Sequence, residues 1–351
     1  MAGSFANQLL RWYPEHAREL PWVGEKDPYR VWLSEIILQQ TRVEQGLNYY
    51  LRFIDTFPDV QSLATAPETL VMKLWEGLGY YSRARNMHAT AKLIAHDLNG
   101  VFPDTLQGLT ALKGIGPYTA RAILSYAFHK PYAVADGNVF RILSRVYGIA
   151  TPVNTPAGKS ELEQLAQKLV DKSQSHVYNQ AMMDLGATIC KPRNPVCQLC
   201  PLANRCHAKK QGVQDAFPVK TAKAARRRRY FHFFIVRSKS DVFIQQRPAG
   251  DIWQQLWQFP VVETGSTSTL SQVLQLASAK AYGLQDLKFN RVDMQKQILT
   301  HQELHCSFYV LDKPVVKTKK LPGCIQVPIE NLNQYAFPGA IRSFLKRNTY
   351  F

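Results

Sequence analysis

The chain has 351 residues, of which 46% are hydrophobic and 20% are charged. These proportions are typical of a globular protein of about two domains, and they exclude collagen, a coiled coil and disorder throughout. Lysine and arginine number 43 against 26 acidic residues, which gives a net charge of +17. Such an excess attracts polyanions, of which nucleic acid is the commonest, although a surface charged only for solubility would look the same.

Targeting signals and cysteine content indicate the compartment in which the protein is expected. No apolar stretch approaches the roughly 18 residues of a membrane span, and residues 1–4 do not begin a signal peptide. We therefore expect an intracellular protein in a reducing compartment, without membrane association. Its six cysteines are not expected to form disulfides.

The first half of the chain is predicted to be all-α. Residues 7–187 repeat apolar side chains at spacings of three and four, which is the period of an amphipathic helix. Glycine and proline interrupt this pattern at short intervals. The pattern therefore predicts about ten short helices.

A basic segment separates this region from a second domain. Residues 209–229 contain eight basic residues and one acid, Asp215, without an apolar period. They are predicted to form a linker that is either solvated or in contact with phosphate groups. Beyond it we expect an α+β domain of about 120 residues. Its predicted elements are strands at 230–236, 242–244 (after a turn at 239–241) and 307–311, one helix at 270–282, and a helix near the end of 330–344.

Four cysteines lie close together in sequence. Cys190, Cys197, Cys200 and Cys206 have the spacing C-x6-C-x2-C-x5-C. Zinc and a [4Fe–4S] cluster are the candidate centres. A zinc ribbon usually has two CxxC knuckles, whereas this loop has one, and this favours the cluster. Cys306 and Cys324 are predicted to be structural.

A glycine turn stands between two helical patterns. Gly114 and Gly116 permit a tight turn, after which Pro117 would open the next helix or Thr119 would cap it. Exposed amides at such a turn suit a DNA phosphate, independently of base sequence. A plain turn between two helices is the alternative.

Two acidic residues have unusual positions. Asp136 is placed to cap a helix that begins near Val139. Glu35 lies in an otherwise apolar helix, so it is either half-buried and paired or exposed at a cleft. Burial would raise the pKa of Glu35 and make it a proton donor near neutral pH.

Together these motifs resemble the endonuclease III (helix-hairpin-helix) superfamily of DNA glycosylases, and within it the A/G-specific adenine DNA glycosylases. The narrower resemblance spans about residues 1–345. It is carried by further motifs at 20–22, 32–35, 38–41, 77–83, 136–139 and 179–186. It implies a multidomain protein. The implied parts are an all-α catalytic region at 1–207 with its cluster loop at 190–206, a basic linker at 208–229, and an α+β Nudix-like domain at 230–347.

The resemblance also implies a mechanism. Adenine is flipped out of the duplex, Glu35 protonates nitrogen 7, and Asp136 stabilises or attacks the sugar cation. Tyr118 and Asn138 position these groups. Bifunctional relatives have a lysine where this chain has Tyr118, so little or no lyase activity is expected.

Further residues are implied to bind DNA. Gln40 and Tyr80 match positions that wedge into the duplex, and the glycine turn contributes Lys113, Gly114, Gly116 and Thr119. The implied cofactor is one structural [4Fe–4S] cluster held by the four cysteines. The implied enzyme is a cytoplasmic, nucleoid-associated monomer that acts on duplexes containing adenine opposite 8-oxoguanine or guanine.

The second domain resembles the family's lesion-reading Nudix-like domain, most clearly at 251–260. The glutamate box of a pyrophosphohydrolase is missing from the sequence after Pro260, so recognition without hydrolysis is expected. The family's lesion-reading loop corresponds to Leu299, Thr300 and His301. A pyrimidine-directed glycosylase and a catalytically silent DNA-binding module are the alternative functions. Glu35 together with Asp136 argues against the silent module, which would need neither acid.

Overall fold

The computed structural model describes residues 4–222, 225–238, 240–313 and 321–348. Lys223 of the predicted linker and Lys239 of the predicted turn lie outside these ranges. The chain forms two compact units, a helical unit of residues 1–65 and 86–223 and a C-terminal unit of residues 66–85 and 224–351. The sequence had assigned residues 66–85 to the helical catalytic region. Among the described helices, none is long and apolar enough to cross a membrane.

The first half of the described chain is helical, as predicted, and no described residue before Arg227 lies in a strand. The helices are α1 (Phe5–Trp12), α2 (Pro28–Leu38), α3 (Val43–Thr56), α4 (Val60–Thr65), α5 (Glu68–Leu74), α6 (Ser82–Asp97), α7 (Leu106–Thr110), α8 (Pro117–Tyr126), α9 (Gly137–Tyr147), α10 (Pro156–Leu169), α11 (Ser175–Thr188) and α12 (His207–Gln211).

Helix α9 shows how sequence determines these elements. Asp136 caps it, as predicted, by accepting from the backbone N–H groups of Asn138 and Val139 at 2.8 and 2.9 Å. Its apolar positions recur at spacings of three and four and are buried against α1, α10 and α11. The helix ends at Gly148, whose φ of 68° suits glycine.

Helix α8 begins with Pro117, which is one of the two predicted ways of starting it. Pro117 occupies its first turn, where a missing N–H costs nothing, and Gly116 precedes it. Thr119 does not cap the helix, so that alternative is wrong. Its hydroxyl instead accepts from the Gln39 side-chain amide at 3.2 Å.

The second half is α+β, as predicted. It contains strands β1 (Arg227–Ile235), β2 (Arg237–Ser238), β3 (Asp241–Gln246), β4 (Trp257–Gln258), β5 (Val261–Thr264), β6 (Phe289–Ile298), β7 (Gln302–Leu311) and β8 (Ile325–Pro328), with helices α13 (Leu270–Leu274), α14 (Ala277–Ala281) and α15 (Gly339–Arg347). One sheet has the order β5-β1-β7-β6, in which only the β1–β7 pair is parallel. A smaller sheet joins β2, β3 and β4, with β8 also paired to β3.

Two predictions for this unit need correction. The single helix predicted at 270–282 is two short helices, because Leu276 adopts an extended backbone (φ −66°, ψ 146°) between them. The strand predicted at 307–311 begins five residues earlier, at Gln302, because β7 pairs along its length with both β1 and β6.

The end of the predicted linker is also folded. Strand β1 begins at Arg227, and the Arg229 side chain is only 6% exposed. Its guanidinium lies 2.5 Å from the Asp251 carboxylate and 2.6 Å from that of Glu263. Arg229 is therefore held in internal ion pairs, and the prediction of a solvated or phosphate-bound side chain is wrong at this position.

This network generates a stability prediction. Arg229→Ala is expected to destabilise the C-terminal unit by about 2 kcal/mol, because it leaves two partly buried carboxylates without their cation. Arg228→Ala is the matched control, since that side chain is 69% exposed and lies 3.8 Å from Glu303. Its expected cost is below about 0.5 kcal/mol. Thermal unfolding of the full-length variants measures both, and equal shifts would contradict the assignment.

Candidate functional site

A pocket of about 1320 Å³ opens within the helical unit. Residues from α2, α3, α8, α9, α10 and α11 and from the adjoining loops line it. Seven residues that the sequence singled out are among them: Glu35, Gln40, Gly116, Tyr118, Thr119, Asp136 and Asn138. The fold therefore brings both predicted acids into one cavity, although 101 positions separate them in the sequence.

Glu35 is held as a weak acid. It projects from α2, and burial of its carboxyl group raises its pKa to about 7. A hydrogen bond from the Tyr118 hydroxyl opposes this rise, while the nearby Asp136 charge adds to it. A carboxyl group with this pKa carries its proton for a large part of the time at neutral pH and can donate it.

Asp136 is surrounded by donors. Its carboxylate accepts the two backbone N–H groups at the start of α9, and the Asn138 side-chain amide donates to it at 2.8 Å. Burial raises the pKa of Asp136, whereas these hydrogen bonds and the Arg141 charge lower it. The pocket thus desolvates both acids but gives Asp136 the larger set of donors, which favours its anionic form.

Arg141 and Gly186 support this geometry, and neither was predicted from the sequence to do so. Arg141 is 8% exposed, and its guanidinium donates to Asn138 Oδ1 at 2.8 Å and to the Cys190 carbonyl at 2.7 Å. A Cβ at Gly186 would lie 2.5 Å from Asn138 Cβ, so only glycine permits this approach of α11. In the sequence, Arg141 occupies a position in the apolar period of α9. This position is the one weak indication that its side chain is buried.

The four predicted metal-ligating cysteines line one small cavity, together with Arg145 and Gln214. Burial and, to a smaller extent, the three neighbouring thiols together raise the pKa of Cys200 to about 12. Within the described residues, no three His, Cys, Asp or Glu side chains are placed to hold one metal ion. Four thiols around one cavity are the ligand set that an iron–sulfur centre uses.

The glycine turn lies at the surface of the helical unit. Gly114 has a φ of 82°, and a Cβ there would lie 2.8 Å from Asn86 Cβ. The Thr90 hydroxyl fixes the turn by donating to the Lys113 carbonyl at 2.7 Å. Lys113, Gly114 and Gly116 are exposed, whereas Thr119 is only 2% exposed. The first three are thus available to a ligand, and burial argues against direct DNA contact by Thr119.

The predicted wedge residues and the predicted lesion-reading loop are also among the described residues. Gln40 is exposed at the edge of the pocket with a φ of 57°. Tyr80 belongs to the C-terminal unit, is 46% exposed and has a φ of 47°. Thr300 and His301 are exposed between β6 and β7, with Leu299 half-buried beside them.

The pKa of Glu35 generates a second prediction. Because the folded pKa of about 7 exceeds the ordinary value of 4.5, ionisation of Glu35 opposes folding above about pH 7, and this cost is absent below about pH 4.5. Glu35→Gln should therefore stabilise the protein by about 3 kcal/mol at pH 8 and by little at pH 4.5. Thermal unfolding at the two pH values measures this. Glu161→Gln, at an exposed position of α10, is the control and should show no such pH dependence.

Family models match three parts of the chain. Residues 33–172 match the HhH-GPD superfamily of base excision DNA repair proteins. Residues 190–206 match the iron–sulfur binding domain of endonuclease III, and residues 232–347 match the NUDIX domain. The iron–sulfur match coincides with the cysteine loop and supports an iron–sulfur cluster there.

Solved structures share the helical fold. A thermostable thymine-DNA glycosylase is 27% identical with a TM-score of 0.55, over 59% of this chain and 95% of that one. Endonuclease III in a non-covalent DNA complex is 20% identical with a TM-score of 0.51, over 60% of this chain and 95% of that one.

Curated relatives cover more of the chain. The adenine DNA glycosylase of Buchnera aphidicola subsp. Schizaphis graminum is 35% identical over 87% of this chain and 83% of its own length. The enzyme of the same name from Homo sapiens is 40% identical over 60% of this chain and 40% of its own length. The resemblance seen in the sequence is confirmed, and this chain belongs to the adenine DNA glycosylase family of DNA repair enzymes.

Proposed function

We propose that this enzyme hydrolyses the N-glycosidic bond of adenine opposite 8-oxoguanine or guanine in duplex DNA. The observation that carries the proposal is the pairing of a weakly acidic Glu35 with a hydrogen-bonded Asp136 in one pocket. Paired carboxyl groups with different protonation states are what glycosidic bond cleavage requires. The names of the curated relatives support adenine as the base.

The two acids take different roles. An adenine flipped into the pocket would meet Glu35, which donates a proton to nitrogen 7 and makes the base a better leaving group. As the bond breaks, positive charge develops on the sugar, and the Asp136 carboxylate stabilises or attacks that cation. Glu35, now ionised, accepts a proton from the water that completes hydrolysis.

Tyr118 and Asn138 act as positioning residues. The Tyr118 hydroxyl donates to Glu35 and thereby fixes the direction of its carboxyl group. The Asn138 amide donates to Asp136 and is itself held by Arg141. The two acids are therefore oriented before the substrate enters, which lowers the cost of reaching the transition state.

DNA contacts are proposed on both units. The exposed turn at Lys113, Gly114 and Gly116 offers amides and a cation to phosphate. Exposed Gln40 and Tyr80 would fill the space left by the flipped base. The hairpin at 299–301 would read the opposite base. The net charge of +17 supplies affinity for duplex that does not depend on sequence.

The cysteine loop is proposed to hold one [4Fe–4S] cluster with a structural role. Cys190, Cys197, Cys200 and Cys206 supply the thiolates, and the Arg145 guanidinium donates to Cys190 Sγ at 3.4 Å. When bound, such a cluster cross-links the loop, because it joins four points of the chain. Arg145 also donates to the Lys191 and Pro192 carbonyls and so holds the loop against α9.

Base release tests the main proposal. Duplexes carrying adenine opposite 8-oxoguanine, guanine or thymine are incubated with wild type and Glu35→Gln. We expect release from the first two, little from the third, and a loss of at least about a thousandfold in the variant. The wild-type rate should fall as the pH rises through about 7, because Glu35 loses its proton.

Two results would contradict this assignment. Adenine release that survives Glu35→Gln would remove the proton-donor role. Release of thymine opposite guanine, with adenine left in place, would favour the pyrimidine-directed alternative.

Strand cleavage tests the proposed absence of lyase activity. Tyr118 stands where bifunctional relatives are expected to have lysine, so no Schiff base should form at this position. We expect released adenine to leave an intact strand that breaks only after alkali. Trapping of a covalent enzyme–DNA product with borohydride would overturn this expectation.

Metal analysis tests the cofactor. A [4Fe–4S] centre predicts about four iron and four sulfide per chain and absorbance in the visible range. Cys197→Ser should lower the iron content, whereas Cys324→Ser, outside the loop, should not. One zinc and no sulfide per chain would establish the alternative centre.

A further inference from the structure

A buried carboxylate anchors residues 66–85 within the C-terminal unit. Glu76 is 9% exposed, and its carboxylate accepts the Phe337 backbone N–H at 2.9 Å. Lys73 Nζ donates to the same carboxylate at 2.9 Å and to the Tyr335 carbonyl at 3.1 Å. Arg342 donates to the Glu76 carbonyl at 2.9 Å. Glu76 therefore joins the end of α5 to the segment that leads into α15.

The chain that follows Glu76 forms a constrained loop. Gly77, Gly79 and Tyr80 have φ values of 99°, 75° and 47°. The Trp75 indole N–H and the Arg83 guanidinium both donate to the Gly79 carbonyl, at 3.0 and 3.3 Å. The Arg83 guanidinium also lies 5.6 Å from the centre of the Tyr80 ring. A left-handed tyrosine persists only where such surroundings hold it.

This loop presents Tyr80 to the hairpin between β6 and β7. The Tyr80 and Thr300 hydroxyl groups are hydrogen-bonded to each other. The hairpin is closed by the Leu299 N–H bond to the Gln302 carbonyl at 2.8 Å. The Arg226 guanidinium adds a bond to the Leu299 carbonyl at 3.1 Å. Tyr80 of the predicted wedge and Thr300 of the predicted lesion-reading loop thus lie side by side at the surface.

We propose that Glu76 is a positioning residue for lesion discrimination, which it achieves by holding Tyr80 against Thr300 so that both meet the base opposite adenine as a unit. This inference rests on the proposed function and adds Glu76 as the residue that fixes the positions of Tyr80 and Thr300. Buried ion pairs are weak sources of stability, and fixing one geometry is among their better supported uses. Glu76 does not touch the substrate and acts through Tyr80.

The readout is the ratio of single-turnover rates for adenine opposite 8-oxoguanine and opposite guanine. Glu76→Gln keeps an oxygen for the Phe337 N–H but removes the charge that attracts Lys73 and Arg342. We expect this ratio to fall by about tenfold, the effect of losing one charge-assisted hydrogen bond. Tyr80→Phe, which removes only the hydroxyl, should lower the ratio by a similar factor. The double variant should fall no further, because both changes act through one contact.

Asp293→Asn is the matched control. It is also an acid-to-amide change in the C-terminal unit, and it removes the Arg347 ion pair of 2.7 Å on β6. It should leave the ratio unchanged. If Glu76→Gln does not fold, Lys73→Met carries the test, with an expected fall of about threefold.

The outcomes separate the two proposals. A wild type that releases no adenine overturns the proposed function and this inference with it. A wild type that releases adenine equally from both duplexes overturns the inference alone, since there is then no discrimination for Glu76 to support. A wild type that discriminates, while folded Glu76→Gln or Lys73→Met keeps the wild-type ratio, overturns the inference alone. Additive losses in the double variant would also overturn it, since Glu76 would then not act through Tyr80.

Discussion

The chemistry of this protein depends on burying two acids away from water while giving them unequal numbers of hydrogen-bond donors. Burial raises the pKa of both Glu35 and Asp136. Glu35 receives one side-chain donor in return, whereas Asp136 receives two backbone N–H groups and an amide. The helix cap thus has two effects, since the bonds that start α9 also favour the charged form of Asp136. A single pocket can therefore contain a proton donor and an anion at the same pH.

The supporting residues extend this arrangement away from the pocket. Asn138 orients Asp136, Arg141 holds Asn138, and Arg141 is fixed in turn by the Cys190 carbonyl. Each of these groups is satisfied by the next, so none can move without leaving a buried polar atom unpaired. The cysteine loop is consequently part of the structure that orients the acid, even though it lies outside the pocket lining.

Much of this could be predicted from the sequence, because local signals determined it. The helix cap at Asp136, the glycine turn and the cysteine spacing are each read within a few residues. Arg141 and Gly186 were missed because their importance lies in contacts between α9 and α11. Arg229 was misjudged for a related reason. A run of arginines indicates a solvated segment until its partners are known, and those partners, Asp251 and Glu263, come 22 and 34 residues later.

The discontinuity of the C-terminal unit has a consequence for how the chain folds. Residues 66–85 leave the ribosome long before residues 224–351, so Glu76 has no Phe337 or Arg342 to bind until the last part of the chain is made. Loops closed over such distances in sequence are slow to form. During synthesis this segment therefore lacks its C-terminal partners until the last part of the chain is made, and the unit that contains Tyr80 is among the last to be completed.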